Sequence, residues 1–163
     1  MISENQEITI PYILSNAAQN AYEKIKALIL KIFSILKKQK EEKNLKKEFY
    51  DSYIDFARKL NSEGYSNECY SYMTICEMYS DLIDRPDVLI SHESFFMDLF
   101  NAFDEILSIR IEKPEIYNLK YGEFLTYITE MQQYYYTKVA IPSPNYNEKT
   151  CRKIISQLSE DLL

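Results

Sequence analysis

Apolar residues fall at positions 14, 18, 21, 25, 28, 32 and 35, alternating steps of four and three, which puts them on one stripe of a helix. The spacing predicts a long amphipathic helix over about 12–44, with Pro11 suited to its first turn and a lysine cluster complementing its C-terminal dipole. A second stripe, Leu45, Phe49, Tyr53, Phe56, Ala57 and Leu60, predicts a helix over 45–63 that stops at Gly64, where a left-handed cap is cheapest for glycine. Ser66 is a natural N-cap for a third helix burying Cys69, Tyr72, Met73, Cys76, Tyr79 and Ile83, which Arg85 and Pro86 should stop. Ser91 is placed to cap a fourth, with Phe96, Leu99, Phe100, Phe103, Ile106 and Leu107 inward and an end near Arg110. Pro114 opens a fifth, carrying Tyr117, Tyr121, Phe124, Ile128, Met131 and Tyr135, which the Pro142, Ser143, Pro144 tripeptide must break. Asn145 with Glu148 forms a capping-box variant ahead of Cys151, Ile154, Ile155, Leu158 and Leu162, a sixth helix. The expectation is all-α: an antiparallel bundle of six or more helices, a single domain over 1–163.

Composition sharpens that picture. Two glycines in 163 residues are too few for the primed turns and bulges of an all-β fold. Neither a Walker-type loop nor a GxGxxG occurs, which removes the common nucleotide-binding enzymes. Fifteen tyrosines, with a run at 134–136, either form an aromatic binding surface or reflect an AT-rich coding bias.

Charge is segregated. Residues 22–47 hold nine Lys against three Glu, a net of +6, whereas residues 48–163 hold ten basic and twenty acidic residues, a net of −10. The Lys24 to Lys47 segment, with Lys37, Lys38, Lys40 and Lys43 as its basic face, is either a solvated face complementing an acidic body or a contact for an acidic partner or an anionic membrane surface. Nucleic acid is the weaker reading, because the segment lacks arginine and interleaved aromatics. The longest apolar stretch, Ala27 to Leu36, is interrupted by Lys31 and far too short to cross a bilayer, so no transmembrane segment is expected. Three cysteines without a close pair point to a reducing, cytoplasmic setting, with the inner membrane face as a place of contact.

His92 is the only base available to a Ser-His or Cys-His site, and no nucleophile motif surrounds it. Cys69, Cys76, His92 and Cys151 lack the spacing of a zinc knuckle, and Asp81, Asp84 and Asp87 that of a calcium loop. No cofactor, metal or catalytic residue is expected.

Four ordered blocks carry a more specific signal. YSNECYSYMTICEMY (65–79), FDEILS (103–108), PEIYNL (114–119) and TCRKIISQLSED (150–161) together resemble the conserved segments of regulator of G-protein signalling (RGS) domains, over about 50–161. The resemblance implies an RGS-like bundle over 45–163 behind the basic helix. Its implied function is binding of an activated heterotrimeric G-protein α subunit, with GTP hydrolysis accelerated by holding the switch loops rather than by covalent catalysis. It nominates Ser66, Glu68, Cys69, Asn118, Gln157 and Asp161 as partner-binding residues converging at one tip. Cys69 stands where the family has a switch-contacting Asn and cannot donate an amide hydrogen bond. Gln157 stands where Leu is usual. The alternative is a non-catalytic adaptor or scaffold that uses the lysine-rich helix.

Overall fold

Ser15 starts the first helix. Its hydroxyl accepts from the Ala18 amide at 3.1 Å, while its own N–H and hydroxyl donate to the two Glu63 carboxylate oxygens at 2.7 and 2.6 Å. The computed structural model describes residues 14–40 and 43–140. Six α-helices run through them: α1 (Asn16–Lys37), α2 (Leu45–Ser62), α3 (Ser66–Asp81), α4 (Pro86–Ser91), α5 (Glu93–Glu112) and α6 (Tyr117–Tyr134). A 3-10 turn at Pro114–Ile116 precedes α6, and a π-turn at Tyr135–Val139 follows it. No strand occurs among the described residues, and no helix there is long and apolar enough to cross a membrane.

Contacts divide the chain into two compact units, one ending at Tyr121 and the next beginning at Gly122, inside α6. In the first unit α1, α2, α3 and α5 form an up-down-up-down bundle. Direction is fixed by the cross-links: Ser15 meets Glu63, Lys46 meets Asp84, and Tyr22 and Lys37 of α1 meet Asp104 and Glu93 of α5. Two aromatic layers fill the centre, each drawing on all four helices. Tyr22 stacks on Phe56 at 4.8 Å, and Tyr72 meets Phe56 at 5.2 Å and Phe103 at 4.5 Å. Two turns along, Tyr79 meets Phe33, Phe49 and Phe96 at 5.4, 4.8 and 5.5 Å, and its hydroxyl donates to the Ile29 carbonyl at 2.9 Å. Much of the tyrosine content is core: Tyr22, Tyr53, Tyr65, Tyr72, Tyr79 and Tyr135 are buried, whereas Tyr50, Tyr70 and Tyr134 are exposed.

The stripes of α2 and α5 are buried as the sequence predicts. The boundaries differ at several points, beginning with the first helix, which starts at Asn16 behind the Ser15 cap rather than near 12. The first helix ends at Lys37 rather than 44, since no apolar residue after Leu36 gives it a face to bury until Leu45; Gln39 and Asn44 turn the chain at φ 57° and 68°. Leu36 is buried and Ile35 only half-buried, which widens the stripe toward Tyr22, Ile29 and Phe33. Ser66 is the first helical residue and not the cap, because Gly64 at φ 92° has already set the turn and Tyr65 takes the N-cap position without a side-chain bond. Pro86 opens the short α4 instead of merely stopping α3, and Ser91 closes α4 rather than capping α5. Pro11, the Pro142 to Pro144 break and the helix expected over 145–162 lie outside the described residues.

In the second unit, Phe124, Ile128, Gln132, Tyr135 and Val139 are buried. Thr126, Thr129 and Thr137 bond back to the carbonyls of Gly122, Leu125 and Gln133 at 3.2, 2.9 and 2.7 Å.

Candidate functional site

The corner where α2 turns into α3 is built from a Schellman-type stop. Gly64 N–H donates to the Asn61 carbonyl at 3.2 Å and Tyr65 N–H to the Leu60 carbonyl at 2.8 Å. The turn delivers Glu68 to the first turn of α3, where a carboxylate suits the positive end of the helix dipole. Its side chain is wholly buried. One carboxylate oxygen accepts from the Arg110 guanidinium near the end of α5, and the other from the Tyr117 hydroxyl at the start of α6. Arg110 also donates to the Gly64 carbonyl at 3.1 Å and lies over the Tyr65 and Tyr117 rings at 4.6 and 5.2 Å. Next to it, the Tyr121 hydroxyl donates to the Asn67 carbonyl at 3.1 Å and sits 3.0 Å from the Ser71 hydroxyl. Burial first, and then the hydrogen bond and charge of Glu68, push the Tyr117 phenol well above the usual tyrosine range. Burial also raises Tyr121 and the half-buried Cys69 thiol.

The clasp pins the first turn of α6 against the first turn of α3. Ser66 and Asn118 are exposed beside it, Cys69 is half-buried, and Leu119 is 68% exposed. Four of the nominated residues, Ser66, Glu68, Cys69 and Asn118, therefore gather at one end of the bundle. Glu68 differs from the other three in pointing inward to Arg110 and Tyr117. Gln157 and Asp161 lie outside the described residues.

Sequence reasoning missed Arg110, Tyr117 and Tyr121 as the partners of this corner. The signal was the stripe Tyr65, Glu68, Tyr72, Ile75 and Tyr79, which places a carboxylate among core positions and so demands a cation. Reading the stripe through Cys69 instead hid that demand; Cys69 and Met73 are only half-buried.

The opposite end carries the basic face. Lys37 is paired with Glu93 at 2.6 Å and Lys46 with Asp84 at 2.8 Å, while Lys38, Lys40 and Lys43 are exposed and form no ion pair with described residues. An open depression of about 440 Å³ lies there, with Lys40, Lys43 and Lys46 on its rim and Leu36, Leu45 and Ile83 beneath.

His92 is occupied structurally. Its Nδ1 lies 2.9 Å from the Val88 carbonyl, which can only accept, so that nitrogen carries the proton and closes α4. Cys76 is buried and Cys69 half-buried, Cys151 lies outside the described residues, and no group of three or more metal-ligating side chains converges among the described residues.

The fold and these two ends define an all-α helical bundle. The chain matches no protein-family model, no curated protein and no solved structure.

Proposed function

We propose that this domain is a non-catalytic protein-interaction module whose contact end is the α3–α6 corner, and that its partner is an activated heterotrimeric G-protein α subunit. One observation supports the reading: Ser66, Cys69 and Asn118, nominated by RGS-like motifs 50 residues apart, stand at one end of the bundle, braced by the Glu68–Arg110–Tyr117 clasp. Bracing of that kind suits a module that works by holding a partner's loops still, where precise placement supplies the effect. Glu68 would act by positioning the corner and not by touching the partner.

Binding to the GDP and GDP–aluminium fluoride forms of a panel of α subunits tests it. The fluoride form mimics the transition state and should bind more tightly, Asn118→Ala should weaken that preference, and Cys69→Asn should strengthen it by supplying the missing amide. Equal binding to both forms, or none, overturns the reading.

A second reading rests on the exposed Lys38, Lys40 and Lys43 around the depression at the other end. An adaptor holding an acidic protein or an anionic membrane there would lose affinity steeply with salt and on Lys40→Glu with Lys43→Glu, and would be indifferent to Asn118.

A further inference from the structure

Between α1 and α5 lies an open cleft of about 240 Å³, lined by Tyr22, Ile29 and Phe100, with Leu30 on the α1 lip and Met97 on the α5 lip. Leu30 is 56% exposed, the one leucine of α1 left out of the core. The two lips are joined at two levels: Tyr22 donates to Asp104 at 2.6 Å, and Lys37 pairs with Glu93 at 2.6 Å. Leu30 falls about midway between Tyr22 and Lys37, and Asp98 about midway between Glu93 and Asp104, so the two stand at one height on opposite helices.

The two helices carry opposite charge. The only acid of α1, Glu23, is paired with Lys26 at 3.6 Å, and the only base of α5, Arg110, is turned to Glu68. Along the outer edge of α1 and its C-cap stand Lys31 and Lys38, seven residues and so two turns apart. Asp98 and Glu105 stand on the outer edge of α5 with the same spacing of seven. All four are exposed, and Lys38, Asp98 and Glu105 form no ion pair with described residues. A basic helix and an acidic helix flanking an apolar cleft make a surface complementary to itself, which is what a two-fold interface requires.

We propose that the α1–α5 face binds a second copy of this chain about a two-fold axis through the cleft. Such an axis lays α1 of each copy over α5 of the other, the two running parallel. Leu30 then covers Met97 and Phe100 of the second copy, Lys31 faces its Asp98, and Lys38 faces its Glu105. The apolar centre supplies affinity and the matched charges set the register. The proposal is independent of the contact end at the α3–α6 corner.

One cleft and two helix edges make a small interface, so sedimentation equilibrium of the full chain should show the mass rising toward twice that of the monomer between about 10 µM and about 1 mM. Leu30→Glu, a change at an exposed position, should weaken the dimer at least about tenfold, since each interface loses two buried leucines. Asp98→Lys should weaken it about fivefold, and Lys31→Asp added to the same chain should restore it to within about twofold of the parent, because the pair is remade with its signs exchanged. Circular dichroism checks that each variant is folded; should Leu30→Glu unfold, the charge exchange decides. A chain that stays monomeric throughout, a folded Leu30→Glu that dimerises as well as the parent, or a double variant no tighter than Asp98→Lys would each overturn the proposal.

Discussion

Glu68 and Arg110, 42 positions apart in the chain, form an enclosed ion pair, their side chains 0% and 15% exposed. The pair joins the start of α3 to the end of α5, and Tyr117 completes it from α6. Removing one member of such a pair strands the other charge, a larger loss than the pair's own net contribution. Arg110→Ala should therefore destabilise the protein by about 3 to 5 kcal/mol in urea unfolding. Tyr117→Phe should cost about 1.5 kcal/mol, the lower end for a hydrogen bond to a charged group. The double change Glu68→Leu with Arg110→Met should recover most of the loss, since no buried charge remains. A double variant as unstable as Arg110→Ala would show that the corner depends on the ions themselves.

The two glycines should respond to alanine in opposite directions. Gly64 holds φ 92°, so a Cβ is strained there although no atom lies within 4 Å of its place. Gly64→Ala should cost about 1 kcal/mol. Gly122 lies within α6 with open space around a Cβ, and Gly122→Ala should stabilise by up to about 1 kcal/mol through helix propensity. Thermal unfolding of the two variants beside the parent protein measures both signs.

How far the sequence spoke depended on whether a residue's role was local. The α2 and α5 stripes and the Gly64 stop follow from neighbours within a turn or two, and periodicity reads them directly. Ser66 and Ser91 show the limit: each has the right chemistry for a cap, yet the N-cap falls one residue away, at Tyr65 and His92, because Gly64 and Pro86 fix the backbone first. The α3–α6 corner was half legible. Motif order brought out Ser66, Cys69 and Asn118, but Arg110 and Tyr117 meet Glu68 across separations of 42 and 49 residues, which only tertiary packing sets.

Thiol chemistry should follow burial. Cys76 is fully buried, and loss of solvation lifts its thiol well above the usual range; Cys69 is half-buried and raised for the same reason. With Cys151 replaced by Ser, Ellman's reagent at pH 7.5 should label Cys69 more slowly than a free thiol and leave Cys76 unmodified until urea unfolds the chain, because the thiolate is the reactive form. Rapid labelling of Cys76 in the native protein would mean that the central layer between Tyr72 and Tyr79 opens readily.

Alkaline pH should unfold the bundle through its tyrosines. Tyr22, Tyr72 and Tyr79 are driven up first by burial, and in Tyr22 also by its bond to Asp104. Unfolded, each would ionise near the ordinary value of about 10. The folded pKa being the higher one, their stabilising contribution is complete below about pH 10 and declines above it, where the unfolded chain has released protons that the folded chain retains. Stability in urea should accordingly stay level with respect to these groups up to about pH 10 and then fall steeply. Phenolate absorbance at 295 nm should show Tyr22, Tyr72 and Tyr79 ionising only as helical circular dichroism is lost. Tyr79→Phe should shift that loss to higher pH, at the cost of its bond to the Ile29 carbonyl, by removing one of the groups that couples ionisation to unfolding. Buried tyrosines that ionise near pH 10 with the helices intact would mean that water reaches the aromatic layers in the native bundle.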